Sequence, residues 1–269
     1  MSSPNNTKIV KTSINEDGIL RIILDNPKSH NTLSEDMMSG IQIALDEAKI
    51  DDKVRVIIIS AIGPTFSAGH DLKELRLGRQ NKDKGKAYFK EVMSKCSTLM
   101  QSIVYNPKPI IAEVAGVATA AGCQLVASCD LAYATASSRF ATPGVNIGLF
   151  CSTPMVALSR NISNKHSMEM LLTGDFISSL KAAQIGLINE SIKEEELETF
   201  VLDKALKISK KSAMTLKTGK EAFYKQVDMS LSEAYDFASI VMVENMLKLD
   251  AEEGINAFIE KRTPNWQDK

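Results

Sequence analysis

The chain has 269 residues, 44% of them hydrophobic, enough for one sizeable core and too apolar for a disordered chain. Its 32 basic residues nearly cancel 33 acidic ones, so no global field favours nucleic acid, and any grip on an anionic ligand must be local. The spacing of Cys96, Cys123, Cys129 and Cys151 fits neither a zinc knuckle nor a dense disulfide framework, so reduced, packed thiols are expected. No stretch approaches the ~20 apolar residues of a membrane helix. The N-terminus, from Met1 to Thr7, has no basic region followed by an apolar run. The expected location is the cytoplasm, or an organelle matrix if a leader has been removed.

In chain order, Gly18 to Asp25 is a branched apolar run that stops at Asn26-Pro27, which predicts a strand. Ser34, followed by Glu35 and Asp36, reads as a helix start. Met37, Ile41, Ala44, Leu45 and Ala48 then fall on one helical face, and the helix ends near Asp51-Asp52. Val54 to Ser60 is apolar after Arg55, as expected of a strand covered on both faces. Phe89, Val92, Met93, Cys96, Leu99, Met100 and Ile103 recur at three and four residues and predict an amphipathic helix over about 86 to 105. Pro109 to Ala115 reads as a third strand, running through the small residues of Gly116 to Gly122 into a helix around Cys123 to Ser128. This recurrence argues for an α/β domain with a largely parallel sheet. From Ser191 onward strands disappear, and charged amphipathic helices follow without a linker. That pattern divides the chain into a core over 1–190 and a helical region over 191–269.

Dinucleotide, P-loop, nucleophile-elbow and zinc-protease motifs are all missing, and His30, His70 and His166 are too scattered to form a metal cluster. No metal site and no tightly bound cofactor are expected. Two loops carry the remaining signal. Phe66 to Leu75 and Gly116 to Gly122 each follow a buried strand and lead into a helix, and their small residues let a ligand approach main-chain amides. Tight turns and close helix packing explain each loop equally well when it is taken alone.

A set of ordered motifs narrows the choice. Asn26-Pro-Lys-Ser-His-Asn-Thr-Leu33, Phe66-Ser-Ala-Gly-His-Asp-Leu-Lys73, Gly116-Val-Ala-Thr-Ala-Ala-Gly-Cys-Gln-Leu125, Cys129-Asp130, Phe140-Ala-Thr-Pro143, Leu172-Thr-Gly174, Ala183-x-x-Gly-Leu187 and Glu253-Gly-x-x-Ala-Phe-x-Glu-Lys-Arg262 resemble the successive signatures of the enoyl-CoA hydratase/isomerase (crotonase) family. The resemblance implies a ClpP/crotonase-like α/β spiral of β-β-α units with a C-terminal helical trimerisation region, assembled as a homotrimer or a dimer of trimers. It implies an acyl-CoA thioester as ligand, with coenzyme A entering as part of the substrate. The amides of His70 and Ala121 would form an oxyanion hole for the thioester enolate, the Ala121 methyl narrowing the approach where the family usually has glycine. Ser29, Asn31, Leu33, Ala68, Asp71, Leu72 and Lys73 would line the coenzyme wall. Gly122 and Pro143 would also contact the substrate, and Lys261, with Arg262 beside it, would meet phosphates.

The resemblance also marks a departure. The positions matching the two hydratase glutamates hold Gln124 and Gly144, neither of which does acid-base chemistry at neutral pH. Hydration of an enoyl thioester is therefore expected to be weak or absent, and restoring both glutamates is expected to create it. His70-Asp71 and Thr142 to Gly148 resemble malonyl-type acyl-CoA decarboxylases, which suggests a decarboxylase using His70, although the tyrosine of those enzymes corresponds to Cys151. A non-catalytic acyl-CoA-binding protein is the third reading. Of the remaining ionisable candidates His70, Asp71, Glu74 and Glu113, His70 stands first.

Overall fold

The computed structural model describes residues 9–269. Two sheets organise it. The larger has six strands in the order β1 (Val10–Ile14), β2 (Ile19–Leu24), β3 (Val56–Ala61), β5 (Ile110–Val114), β7 (Leu131–Thr135) and β10 (Glu190–Ile192). All neighbours pair in parallel except the β1–β2 hairpin. The smaller sheet is built from short strands, β4 (Thr65–Ser67), β6 (Val117–Thr119), β8 (Arg139–Ala141) and β9 (Ile177–Ser178).

The sheets are linked by one repeated step. A long apolar strand of the first sheet passes through a tight loop into a short strand of the second and then into a helix, so β3 feeds β4, β5 feeds β6 and β7 feeds β8. The helices are α1 (Glu35–Ile50), α2 (Leu72–Gly78), α3 (Lys86–Val104), α4 (Ala121–Ser128), α5 (Ser152–Asn161), α6 (Asn164–Thr173) and α7 (Ser179–Ile185). Ser34 begins α1 as its composition predicts, its hydroxyl accepting the Met37 N–H at 3.2 Å. Met37, Ile41, Ala44, Leu45 and Ala48 are buried, as are Val92, Cys96, Leu99, Met100 and Ile103 of α3. All four cysteines are free and buried.

The structure adds strands that the pattern did not reveal. β1 is an edge strand with one buried residue in five, and β4, β6, β8 and β9 are too short to show a period. β10 extends the sheet through Ser191 and Ile192, two residues into the region expected to be free of strands.

After β10 the chain is helical, through α8 (Leu197–Ser209), α9 (Ala213–Gln226), α10 (Leu231–Met246) and α11 (Leu249–Glu260). Leu197, Val201 and Ala205 of α8 close a second apolar cluster with Ile19, Val56, Ile58 and Ile111 of the six-stranded sheet. α9 is anchored by charge. Lys220 Nζ meets Asp130 at 2.6 Å and donates to the carbonyls of Ile103 and Lys108, while Tyr224 donates to the other Asp130 oxygen. α10 and α11 instead leave Leu231, Ile240, Leu247, Phe258 and Ile259 exposed.

Candidate functional site

The two small-residue loops meet at Gly69. Its φ of +82° is a conformation that favours glycine, and a side chain there would lie 2.9 Å from Ala120 Cβ and 3.0 Å from the Ala121 nitrogen. The His70 amide therefore follows directly on a residue packed against the Ala121 amide. Among the described residues, neither N–H donates to a group of the chain. Ala121 opens α4, so its amide is one of the free donors at the positive end of the helix. The peptide before it is turned by Ala120, whose φ of +50° and ψ of −122° put a side-chain-bearing residue where glycine is usual. Such a conformation costs about 1–3 kcal/mol and persists only where the surroundings impose it. Here the Ala120 N–H is tied to the Ala141 carbonyl at 2.9 Å. The Ala121 methyl packs into the core, 1% exposed.

The two segments expected to form the coenzyme wall lie side by side. Leu33 N–H donates to the Gly69 carbonyl at 2.7 Å, Ala68 N–H donates to the His30 carbonyl at 3.1 Å, and Leu33 bridges His70 in parallel. Within this wall the side chains differ in availability. Asn31 is fully buried, accepting the Asn26 N–H and donating to the carbonyls of Ile62 and Thr65, so its role is to fix the turn. Leu33 belongs to the core, and Asp71 caps α2 through the N–H groups of Lys73 and Glu74. Ser29 and Ala68 are half-buried, and Leu72 and Lys73 are exposed. Gly122 packs α4 on β4, since a side chain there would meet the Ser67 carbonyl at 2.2 Å. Lys261 is exposed beyond α11, and among the described residues no hydrogen bond or ion pair of its side chain joins it to these loops. Arg262 is held by Glu253 through two contacts of 2.6 and 2.8 Å.

The sequence profile of the enoyl-CoA hydratase/isomerase family matches residues 14–269. The chain belongs to that family. Enoyl-CoA hydratase domain-containing protein 3, mitochondrial, of Rattus norvegicus is 48% identical over 266 residues, covering 98% of this chain and 87% of the relative. The crystal structure of the human protein of that name superposes with a TM-score of 0.91 at 46% identity, covering 96% of this chain and all of that one. An enoyl-CoA hydratase structure from Mycobacterium smegmatis gives 0.92 at 41% identity, covering 96% and 98% of the two chains. The crotonase fold expected from the ordered motifs is thus the fold observed.

Within this family fold, the wall around the Ala121 turn holds polar groups without partners. Gln124 is 4% exposed and its Oε1 is buried without a hydrogen bond; Thr142 is fully buried and its hydroxyl is likewise alone. Both ring nitrogens of His70 are shut off from solvent and unbonded. Burial holds the His70 pKa below its ordinary value, so the ring is neutral at pH 7. The other ionisable candidates are engaged. Glu74 accepts the Glu35 N–H, and Glu113 pairs with Arg21 at 2.9 Å across the sheet.

Pro143 and Gly144 begin a short 3-10 helix, Pro143–Ile147, after β8. Position 144 is closed to a larger residue, because a Cβ there would lie 2.9 Å from Cys151 Sγ and 2.9 Å from the Leu149 carbonyl oxygen. Replacing Gly144 by glutamate would require this corner to move. The contact between Gly144 and Cys151 left no trace in the sequence pattern.

Proposed function

We propose that the protein binds an acyl-CoA thioester, polarises its carbonyl with the amides of His70 and Ala121, and stabilises the enolate that follows. The observation that carries this reading is the meeting of two unpartnered amides at Gly69, one of them at the N-terminus of α4. Each such donor is worth about 3 kcal/mol to an oxyanion, in a site where burial strengthens the interaction. The paired strips Ser29 to Leu33 and Ala68 to Lys73 offer a surface for the coenzyme, with exposed Lys73 and Lys261 available to phosphates. Hydration of enoyl thioesters is weak or absent in this reading, since Gln124 is an amide and Gly144 has no side chain.

The decarboxylase reading has less support, because a neutral His70 supplies no charge to hold a substrate carboxylate. The exposed apolar side chains of α10 and α11 support a homotrimer or a dimer of trimers. The mitochondrial designation of the relatives supports an organelle matrix as its location.

Calorimetry with butyryl-CoA and free coenzyme A tests the binding, and mass spectrometry of a panel of acyl-CoA thioesters tests turnover. Binding of both ligands is expected, with crotonyl-CoA hydrated far below the ~10 s⁻¹ typical of enzymes. Absence of binding would refute the reading; binding without turnover of any thioester would reduce the protein to a carrier.

A further inference from the structure

The Gly144–Cys151 corner has a feature that packing alone does not require. Cys151 precedes α5, and its sulfur occupies the space that a side chain at position 144 would take. The corner adjoins the amide site by two routes. The Ala120–Ala141 hydrogen bond places Thr142, and with it the start of the Pro143–Ile147 helix, beside the first turn of α4. By the second route, α4, which Ala121 opens, packs on α5, which Cys151 precedes. Gln124 lies one turn above Ala121 on the same face of α4. Two polar side chains more than nine-tenths buried, Gln124 of α4 and Thr142 two residues before Gly144, carry atoms that nothing in the chain satisfies.

We propose that the Cys151 thiol lines the acyl end of the site and exchanges a proton with the α-carbon of the bound thioester. This rests on the acyl-CoA reading above. The Cys151 thiolate takes a proton from the α-carbon; the C–H electron pair becomes the enolate double bond, and the carbonyl electrons move to the oxygen held by the two amides. In the reverse step the S–H returns a proton to the α-carbon and regenerates the thiolate. No further reactant is consumed. The chemistry fits the surroundings. Burial pushes the Cys151 thiol above its ordinary range, so it rests as S–H, and its sulfur lies directly against Gly144. Cys123 of α4 is itself held neutral, its thiol pushed up to about 12 by burial.

The test is α-hydrogen exchange of butyryl-CoA in D2O with the full chain, followed by mass spectrometry, alongside calorimetry for binding. The wild type is expected to exchange, with a rate that is still climbing with pH above the ~8.5 of an ordinary thiol, as the thiolate fraction grows. Cys151→Ala should lose exchange by at least ~10²-fold while still binding butyryl-CoA. Cys151→Ser, similar in size but not ionised in this range, should lose the pH-dependent rise. Exchange that survives in both variants with the same pH profile would overturn the proposal. So would a wild type that binds butyryl-CoA without exchanging, an outcome that leaves the binding reading standing. A wild type that does not bind butyryl-CoA at all would remove both.

Discussion

Two buried polar clusters in this molecule are built to opposite rules. Around Asp130 every partner is present: Lys220, Tyr224 and the Ile110 N–H reach the carboxylate, and Lys220 has two further carbonyls. Around the Ala121 turn, both ring nitrogens of His70, Oε1 of Gln124 and the Thr142 hydroxyl are shut off from solvent, yet they bond to nothing in the chain. A buried polar group without a partner costs about 1–3 kcal/mol, so a wall holding three of them gives up stability. The first cluster fastens α9 to the sheet. The second is explained by a ligand that completes it.

The largest expected effect comes from breaking the satisfied cluster. Burial pushes the Asp130 carboxyl up and the Lys220 ammonium down, so each charge depends on the other. Lys220→Met should destabilise by about 3–5 kcal/mol in denaturant unfolding, because it strands the carboxylate. Next, Gly69→Ala introduces a side chain at positive φ against Ala120 and the Ala121 amide. It should cost about 1–3 kcal/mol in the same assay and abolish butyryl-CoA binding by calorimetry. By contrast, Gln124→Met removes an unsatisfied amide and should leave stability within about 1 kcal/mol of wild type, or raise it. A loss as large as that of Lys220→Met would show that the two clusters do not differ.

How much of this was readable in the sequence follows the same division. The long strands, the Ser34 cap and the α1 and α3 faces were legible because burial imposes a period on them. The short strands of the second sheet were not, since three residues carry no period, and β1 is an edge strand with mostly exposed residues. Gly69 was legible as a turn glycine, whereas Ala120 at positive φ gave no sign, alanine being ordinary in helices and strands alike. The Lys220–Asp130 pair spans 90 residues and had no local signature. Gln124 and Gly144 became informative only through the ordered family motifs, and the sulfur beside Gly144 only through coordinates.

The smallest effect is a pH dependence. Burial lowers the His70 pKa in the folded protein, so the unfolded chain binds the proton more readily. The stability contributed by the neutral ring is full above the unfolded value of ~6.5 and declines as pH falls below it. His70→Gln should flatten that acid limb in unfolding curves collected between pH 7 and 5. An unchanged slope would mean that the ring is not held neutral by burial.

The central claim is that two main-chain amides act on one carbonyl, and isotope-edited infrared spectroscopy reads that carbonyl directly. With butyryl-CoA labelled with carbon-13 at the thioester carbon, the carbonyl stretch is expected to move to lower frequency on binding, because donors at His70 and Ala121 weaken the C=O bond. A bound thioester whose carbonyl absorbs at its frequency in water or above would contradict the account.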